Sequence, residues 1–151
     1  MFAGKFRHML DNKGRLTIPS RLREAIPREK VASFWVTLGM EGCLYIYTPQ
    51  VWEKLVNQLP TGISTKDKRT FIRLFFSNAT PCDWDKQGRI LIPDELRKAA
   101  GIEKNVVIVG ALDHIEVWDA ERWDEFQREN LSKYEEYADK LFTTQTGNIE
   151  E

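Results

Sequence analysis

The chain has 151 residues, 42% of them hydrophobic and 30% charged, which supports one compact body or two small lobes around a real apolar core. No apolar run approaches a membrane span and the first residues, MFAGKFRH, lack a hydrophobic signal region, so membrane and export classes are excluded and a cytoplasmic protein is expected. The net charge of -1 conceals an asymmetry: residues 1–30 hold eight Lys and Arg against Asp11, Glu24 and Glu29, whereas from Asp113 onward twelve acids face Arg122, Arg128, Lys133 and Lys140. Such a division suits one face for a polyanion and another kept away from it or used for subunit contacts.

In chain order, Phe6–Leu10 and Arg15–Ile18 flank the polar turn DNKG, whose Asn and Gly suit a tight hairpin. Pro19 ends the second strand and opens a short helix, Ser20–Ile26, stopped by Pro27. Strands are predicted at Val31–Leu38 and Leu44–Tyr47. A helix follows, capped by Thr48 with Pro49 in its first turn and with Val51, Trp52, Leu55, Val56 and Leu59 on one face. The break PTGIS precedes a connecting helix over 64–78, where Ser64 and Asp67 form a capping box and Phe71, Ile72, Leu74, Phe75 and Phe76 are apolar enough to pack the halves together.

The pattern then restarts. Thr80–Trp84 and Arg89–Ile92 flank DKQG, Pro93 opens a helix over Asp94–Ala100 stopped by Gly101, and strands follow at Val106–Val109 and Ile115–Trp118. Asp119 caps a closing helix with Trp123, Phe126, Leu131, Tyr134, Ala138 and Leu141 at helical spacing, a stripe read as core or subunit interface. The tail TTQTGNIEE has no periodicity and reads as flexible.

DNKGRLTIPSRLREA from Asp11 therefore returns as DKQGRILIPDELRKA from Asp85. A repeat at this period is a duplicated structural unit, and two halves this small are expected to share one core. The division is 5–51 for repeat one, its closing helix reaching about 59, then 64–78 for the connecting helix and 79–122 for repeat two. A C-terminal amphipathic helix over 119–142 and a flexible tail over 143–151 complete it.

Both copies keep an Asp that begins the turn, a Gly that closes it and an Arg four residues after the Asp. Asp11 and Asp85 can accept turn amides or pair with Arg15 and Arg89, which with Gly14 and Gly88 structures the loops. Asn12, Lys13, Lys86 and Gln87 stand at the tips. Arginine can clamp a phosphate or read guanine in a bidentate way, and Lys, Asn and Gln supply the other contacts a nucleic acid offers. A purely structural Asp–Arg pair is the competing reading. Repeat one is the more basic around its loop, so the charge pattern predicts that the first loop dominates attraction.

The pattern D-x-x-G-R-[IL]-x-I-P-x-x-L-R-x-A resembles the SpoVT-AbrB family of bacterial DNA-binding modules, and two modules in tandem after an MF-G start resemble the MraZ family. The resemblance covers nearly the whole chain. It implies an α+β fold: a double SpoVT-AbrB-like swapped-hairpin β-barrel, formed as a pseudo-dimer of two repeats, with flanking helices. It also implies a nucleoid-associated, sequence-specific regulator that binds double-stranded DNA at direct repeats in the promoter of the division and cell-wall gene cluster, acts as a repressor and assembles into ring-like homo-oligomers. Carried over by position, the DNA-binding residues are Lys13, Arg15, Arg23, Lys86, Gln87, Arg89 and Arg97. The basic position three residues before the Asp is His8 in one copy and Cys82 in the other, and the one after the second Arg is Glu24 and Lys98, so the halves are unequal.

No enzyme, cofactor, metal or small-molecule substrate is expected. One Asp per half is the arrangement of an aspartic-protease dyad, but the cations beside each favour ionising both. His8 and His114 have no neighbours at ligand or triad spacing, and Cys43 and Cys82 have none at metal spacing, which leaves them as buried or half-buried free thiols. The alternative class is an AbrB-like antitoxin or protein-binding module that neutralises a protein partner.

Overall fold

The computed structural model describes residues 1–27, 31–59, 62 and 65–150, with 144–150 described by backbone alone. It divides into two units, Met1–Ala120 and Glu121–Glu151. In the first unit, repeat one supplies β1 (Phe2–Met9), β2 (Arg15–Thr17), α1 (Ser20–Arg23), β3 (Ser33–Leu38), β4 (Leu44–Tyr47) and α2 (Pro49–Gln58). Helix α3 (Lys66–Ser77) leads to repeat two, with β5 (Thr80–Asp83), β6 (Arg89–Leu91), α4 (Asp94–Ala99), β7 (Asn105–Leu112) and β8 (His114–Asp119).

The strands flanking each turn do not form the simple hairpins predicted from sequence. Asp11 N–H bonds the Arg15 carbonyl at 3.1 Å and Asp85 N–H the Arg89 carbonyl at 2.9 Å across the turns, and repeat two adds an isolated bridge, Trp84↔Ile90. β1 instead pairs with β7, from Phe2↔Leu112 to Met9↔Asn105, and β5 pairs with β3. Each repeat thus lends its first strand to the third strand of the other. The short β2 and β6 pair with one another, Leu16 opposite Ile90.

The result is a six-stranded antiparallel sheet in the order β1-β7-β8-β4-β3-β5 with a separate two-stranded ladder, β2-β6. The expected α+β class is present, but the sheet is not a closed barrel: β1 and β5 are its outer strands and do not pair with each other. Pro81 in β5 also lacks an amide donor, as suits an edge.

The shared core follows from the repeat. Leu16, Ile18 and Leu22 meet their counterparts Ile90, Ile92 and Leu96 in one cluster, none more than 2% exposed. Burial of each stabilises the fold by roughly 1.5–3 kcal/mol, and half of that apolar contact comes from each repeat. The Ile-Pro steps are stitched across the repeats as well: Ile18 N–H donates to the Gly88 carbonyl at 2.9 Å and Ile92 N–H to the Gly14 carbonyl at 3.2 Å.

A second cluster gathers Tyr47, Trp52 and Phe75, with Trp52 stacked on Trp35 at 5.0 Å and on Phe75 at 5.6 Å. Thr48 caps α2 as predicted, its side chain accepting from Val51 N–H. Helix α3 is capped by Thr65; Ser64, the predicted cap, lies outside the described residues. The fully buried Thr37 hydroxyl donates to the Phe75 carbonyl at 2.6 Å, tying α3 to β3.

In the second unit, α5 (Ala120–Asn130) and α6 (Tyr134–Glu150) are separated by a 3-10 turn, Leu131–Lys133, where one continuous helix was predicted. Asn130 satisfies the break, donating to the Phe126 carbonyl at 2.8 Å and accepting from the Tyr137 hydroxyl at 3.1 Å. The backbone is helical to Glu150, although the sequence from 143 shows no helical periodicity. No described helix is long and apolar enough to cross a membrane.

Candidate nucleic-acid interface

The two turns are built by the same bonds. Asp11 Oδ1 accepts from the backbone N–H of Lys13 and of Arg15, both at 2.9 Å, and its Oδ2 accepts from Arg15 Nε at 2.6 Å. Asp85 Oδ1 accepts from Gln87 N–H at 2.9 Å and Arg89 N–H at 3.0 Å, and its Oδ2 from Arg89 Nε at 2.8 Å. Gly14 and Gly88 close the turns at φ +80° and +75°, where a side chain would be strained.

These bonds fix the protonation states. The Arg15 amide, then the Arg15 side chain and the Lys13 amide, bring Asp11 from 3.8 down to about 2 against a partial desolvation that opposes them. Asp85 is lowered in the same way, chiefly by the Arg89 amide. Both carboxylates are held ionised at neutral pH beside arginine, in keeping with the sequence reading that set a shared-proton dyad aside.

The β2-β6 ladder decides where the arginines face. Leu16 and Ile90 point into the core, so the other positions, Arg15 and Thr17 on β2 and Arg89 and Leu91 on β6, occupy the outer face. Each arginine binds its Asp through Nε, leaving the Nη edge for a second acceptor. Arg89 Nη1 also stands 3.9 Å from Asp11 Oδ2, which joins the two loops. Asn12, Lys13, Lys86 and Gln87 are exposed at the tips. Pairing across repeats thus assembles the tips and their arginines on one ribbon.

Arg23 and Arg97 do not join that outer row. Arg23 lies against Gly88 of the other repeat, with Nη1 3.5 Å from the Gln87 carbonyl, and Arg97 lies against Gly14 while bonding Asp94. Their Nε atoms are buried and make no hydrogen bond. The motif alone could not show this crossing, because it depends on which repeat each turn meets. Leu91 was also missed; at 54% exposure it is an apolar side chain on the ribbon's outer face, visible in hindsight from strand alternation after Arg89.

Other singled-out residues lie elsewhere. Cys82 is buried on β5, Glu24 is exposed just after α1, and Lys98 is exposed on α4. The half-buried His114 bonds Asp113 at 2.8 Å and Glu116 at 2.9 Å. Burial alone would lower its pKa, but the two carboxylates outweigh this and raise it. Among the described residues no group of three or more His, Cys, Asp or Glu side chains is arranged to hold a metal ion.

A family model described as "MraZ protein, putative antitoxin-like" matches the chain twice, over residues 1–74 and 75–144. The chain belongs to the MraZ family. Its MraZ relatives include proteins named "Transcriptional regulator MraZ" from Heliobacterium modesticaldum, 45% identical over 93% of this chain and 96% of the relative, and from Moorella thermoacetica, 43% identical over the same shares. A third, from Lactiplantibacillus plantarum, is 43% identical over 93% of this chain and 98% of its own length. The two MraZ matches meet inside α3, so each contains one turn of the ribbon.

Proposed function

We propose that this chain is a sequence-specific DNA-binding transcriptional regulator whose contact surface is the β2-β6 ribbon with its two turns. The observation that carries the reading is the ladder itself: it puts Arg15 and Arg89 on one outer face, stiffened by ionised Asp11 and Asp85 and flanked by exposed Lys13, Lys86 and Gln87. A two-stranded ribbon fits the major groove, where arginine and amide side chains can read base edges and lysines neutralise phosphates. The reciprocal pairing of β1 with β7 and β5 with β3 supports treating 5–51 and 79–122 as exchanged halves of a pseudo-dimer.

In this proposal the chain is cytoplasmic and nucleoid-associated, and acts as a repressor at direct repeats in the promoter of the division and cell-wall gene cluster. One subunit offers only two turns. Affinity then comes from a ring-like homo-oligomer that presents many turns in the same sense, each later contact being effectively intramolecular. The test is fluorescence anisotropy with a duplex of that promoter, with duplexes holding one or several of its repeats, and with a scrambled duplex. The reading requires tighter binding to the promoter, growth of affinity with repeat number and steep salt dependence. Equal binding to scrambled DNA removes sequence specificity, and no binding to any duplex removes the function.

The family's antitoxin-like description favours a second reading, in which the chain neutralises a protein partner. Substitution at Arg15 and Arg89 separates the two, since partner capture that survives loss of DNA binding would belong to another surface.

A further inference from the structure

We infer that Arg23 and Arg97 are positioning residues, each clamping the turn of the opposite repeat, and not DNA contacts. The inference rests on the proposed DNA-binding role of the turns but is argued from the free protein. A Cβ placed on Gly88 would stand 2.6 Å from Arg23 Nη1, and one on Gly14 would stand 2.1 Å from Arg97 Nη1. In each case a guanidinium occupies the space that any side chain at the turn glycine would need. The glycine is required twice over, by its positive φ and by the arginine lying on it.

The chemistry of the two side chains agrees with a clamp. The Nε atoms of Arg23 and Arg97 are buried without a hydrogen-bond partner, so no phosphate can reach them, whereas Arg15 and Arg89 use Nε to hold Asp. Burying an unpaired donor is unfavourable and persists where the surrounding packing requires the group there. One Nη of each has a contact within the protein at the surface, Arg23 Nη1 with the Gln87 carbonyl at 3.5 Å and Arg97 Nη2 with Asp94 Oδ1. Two cross-repeat backbone bonds, Ile18 N–H to Gly88 and Ile92 N–H to Gly14, hold the same glycines from the strand side. Each turn is thereby gripped between a strand and an arginine that both come from the other repeat. Helix α1 serves the second turn and α4 the first.

The crossing makes the test specific. Hydrogen exchange in the free protein should show that Arg23→Ala speeds exchange of the Gln87 and Gly88 amides about tenfold while Lys13 and Gly14 keep their protection, and that Arg97→Ala does the converse. Uniform acceleration, or loosening of the turn in the same repeat, overturns the clamp whether or not the chain binds DNA. With the promoter duplex, Arg23→Ala should weaken binding about tenfold, the size of one lost hydrogen-bonded contact, with the salt slope unchanged. A phosphate contact would instead lower that slope by roughly 0.9. Arg23→Lys keeps the charge but not the plane, so it should behave like Arg23→Ala; retention of wild-type affinity would assign Arg23 to DNA. If the exchange pattern appears but the wild-type chain binds no duplex, the clamp stands and the DNA-binding reading fails.

Discussion

Replacing Arg15 and Arg89 together by Ala removes the two guanidinium groups from the outer face of the ribbon and leaves its inner face, Leu16 and Ile90, untouched. Each arginine is held by an Asp through Nε, so in the proposed reading it would meet DNA already oriented, through a charge-assisted hydrogen bond from its Nη edge. Such bonds contribute about 1.5–3 kcal/mol each, or roughly one to two powers of ten in affinity. The double variant should therefore bind the promoter duplex at least about a hundredfold more weakly. If both arginines meet phosphates, the slope of log affinity against log salt should also become shallower by roughly 1.8. The fold should survive, because partly exposed ion pairs add little to stability; circular dichroism and the unfolding midpoint check this. Anisotropy titrations between about 50 and 200 mM salt give both quantities. A folded double variant with wild-type affinity and slope would refute the assignment of the ribbon.

Acid provides an independent probe of the loops. Asp11 falls to about 2 and Asp85 is also lowered in the folded chain, so their stabilisation is complete above the ordinary carboxylate value of 3.8 and disappears as pH falls through the folded values. Asp11→Asn with Asp85→Asn should therefore flatten stability against pH between about 4 and 2, and acid unfolding curves identical to wild type would contradict the loop chemistry. Thr37→Val leaves the Phe75 carbonyl without its donor and should destabilise the chain by about 1–3 kcal/mol in urea unfolding; an unchanged midpoint would mean that α3 does not depend on this bond. Leu16→Ala opens the shared core and should cost about 2–5 kcal/mol, in one cooperative transition that includes both repeats. Two separate transitions would show the repeats folding independently.

Local chemistry was readable from the sequence and pairing was not. The cap at Thr48, the glycine turns and the Asp-to-Arg spacing each depend on a few adjacent residues, and all appear in the structure. The polar turn DNKG between two strand-like runs reads as a hairpin because nothing in its ten or so neighbours says that Phe2–Met9 finds a better partner a hundred residues away in β7. The same blindness hid where Arg23 and Arg97 pack. Their motif positions are right, but their neighbours come from the other repeat. At the C-terminus the apolar spacing continues through Leu131, yet Asn130 bonds back to Phe126 and the helix breaks there.

Exchange also changes which loop should matter more. Charge along the sequence favours the first, because residues 1–30 are basic. In the fold, however, Arg15 bonds Asp11 at 2.6 Å, whereas Arg89 bonds Asp85 at 2.8 Å and also lies 3.9 Å from Asp11. Arg89 thus stands near both carboxylates, and Asp11 near both arginines. On the proposed reading, removing Arg89 would withdraw a DNA contact and loosen the electrostatic link between the turns, while removing Arg15 would withdraw a contact and leave Arg89 to balance Asp11. The single variants should then rank opposite to the sequence expectation, with Arg89→Ala weakening promoter binding more than Arg15→Ala. A double-mutant cycle locates the cause: Asp11→Asn should couple to Arg89→Ala as well as to Arg15→Ala. If Arg15→Ala proves the more damaging and Asp11 shows no coupling to Arg89, the loops act separately and net charge sets their order.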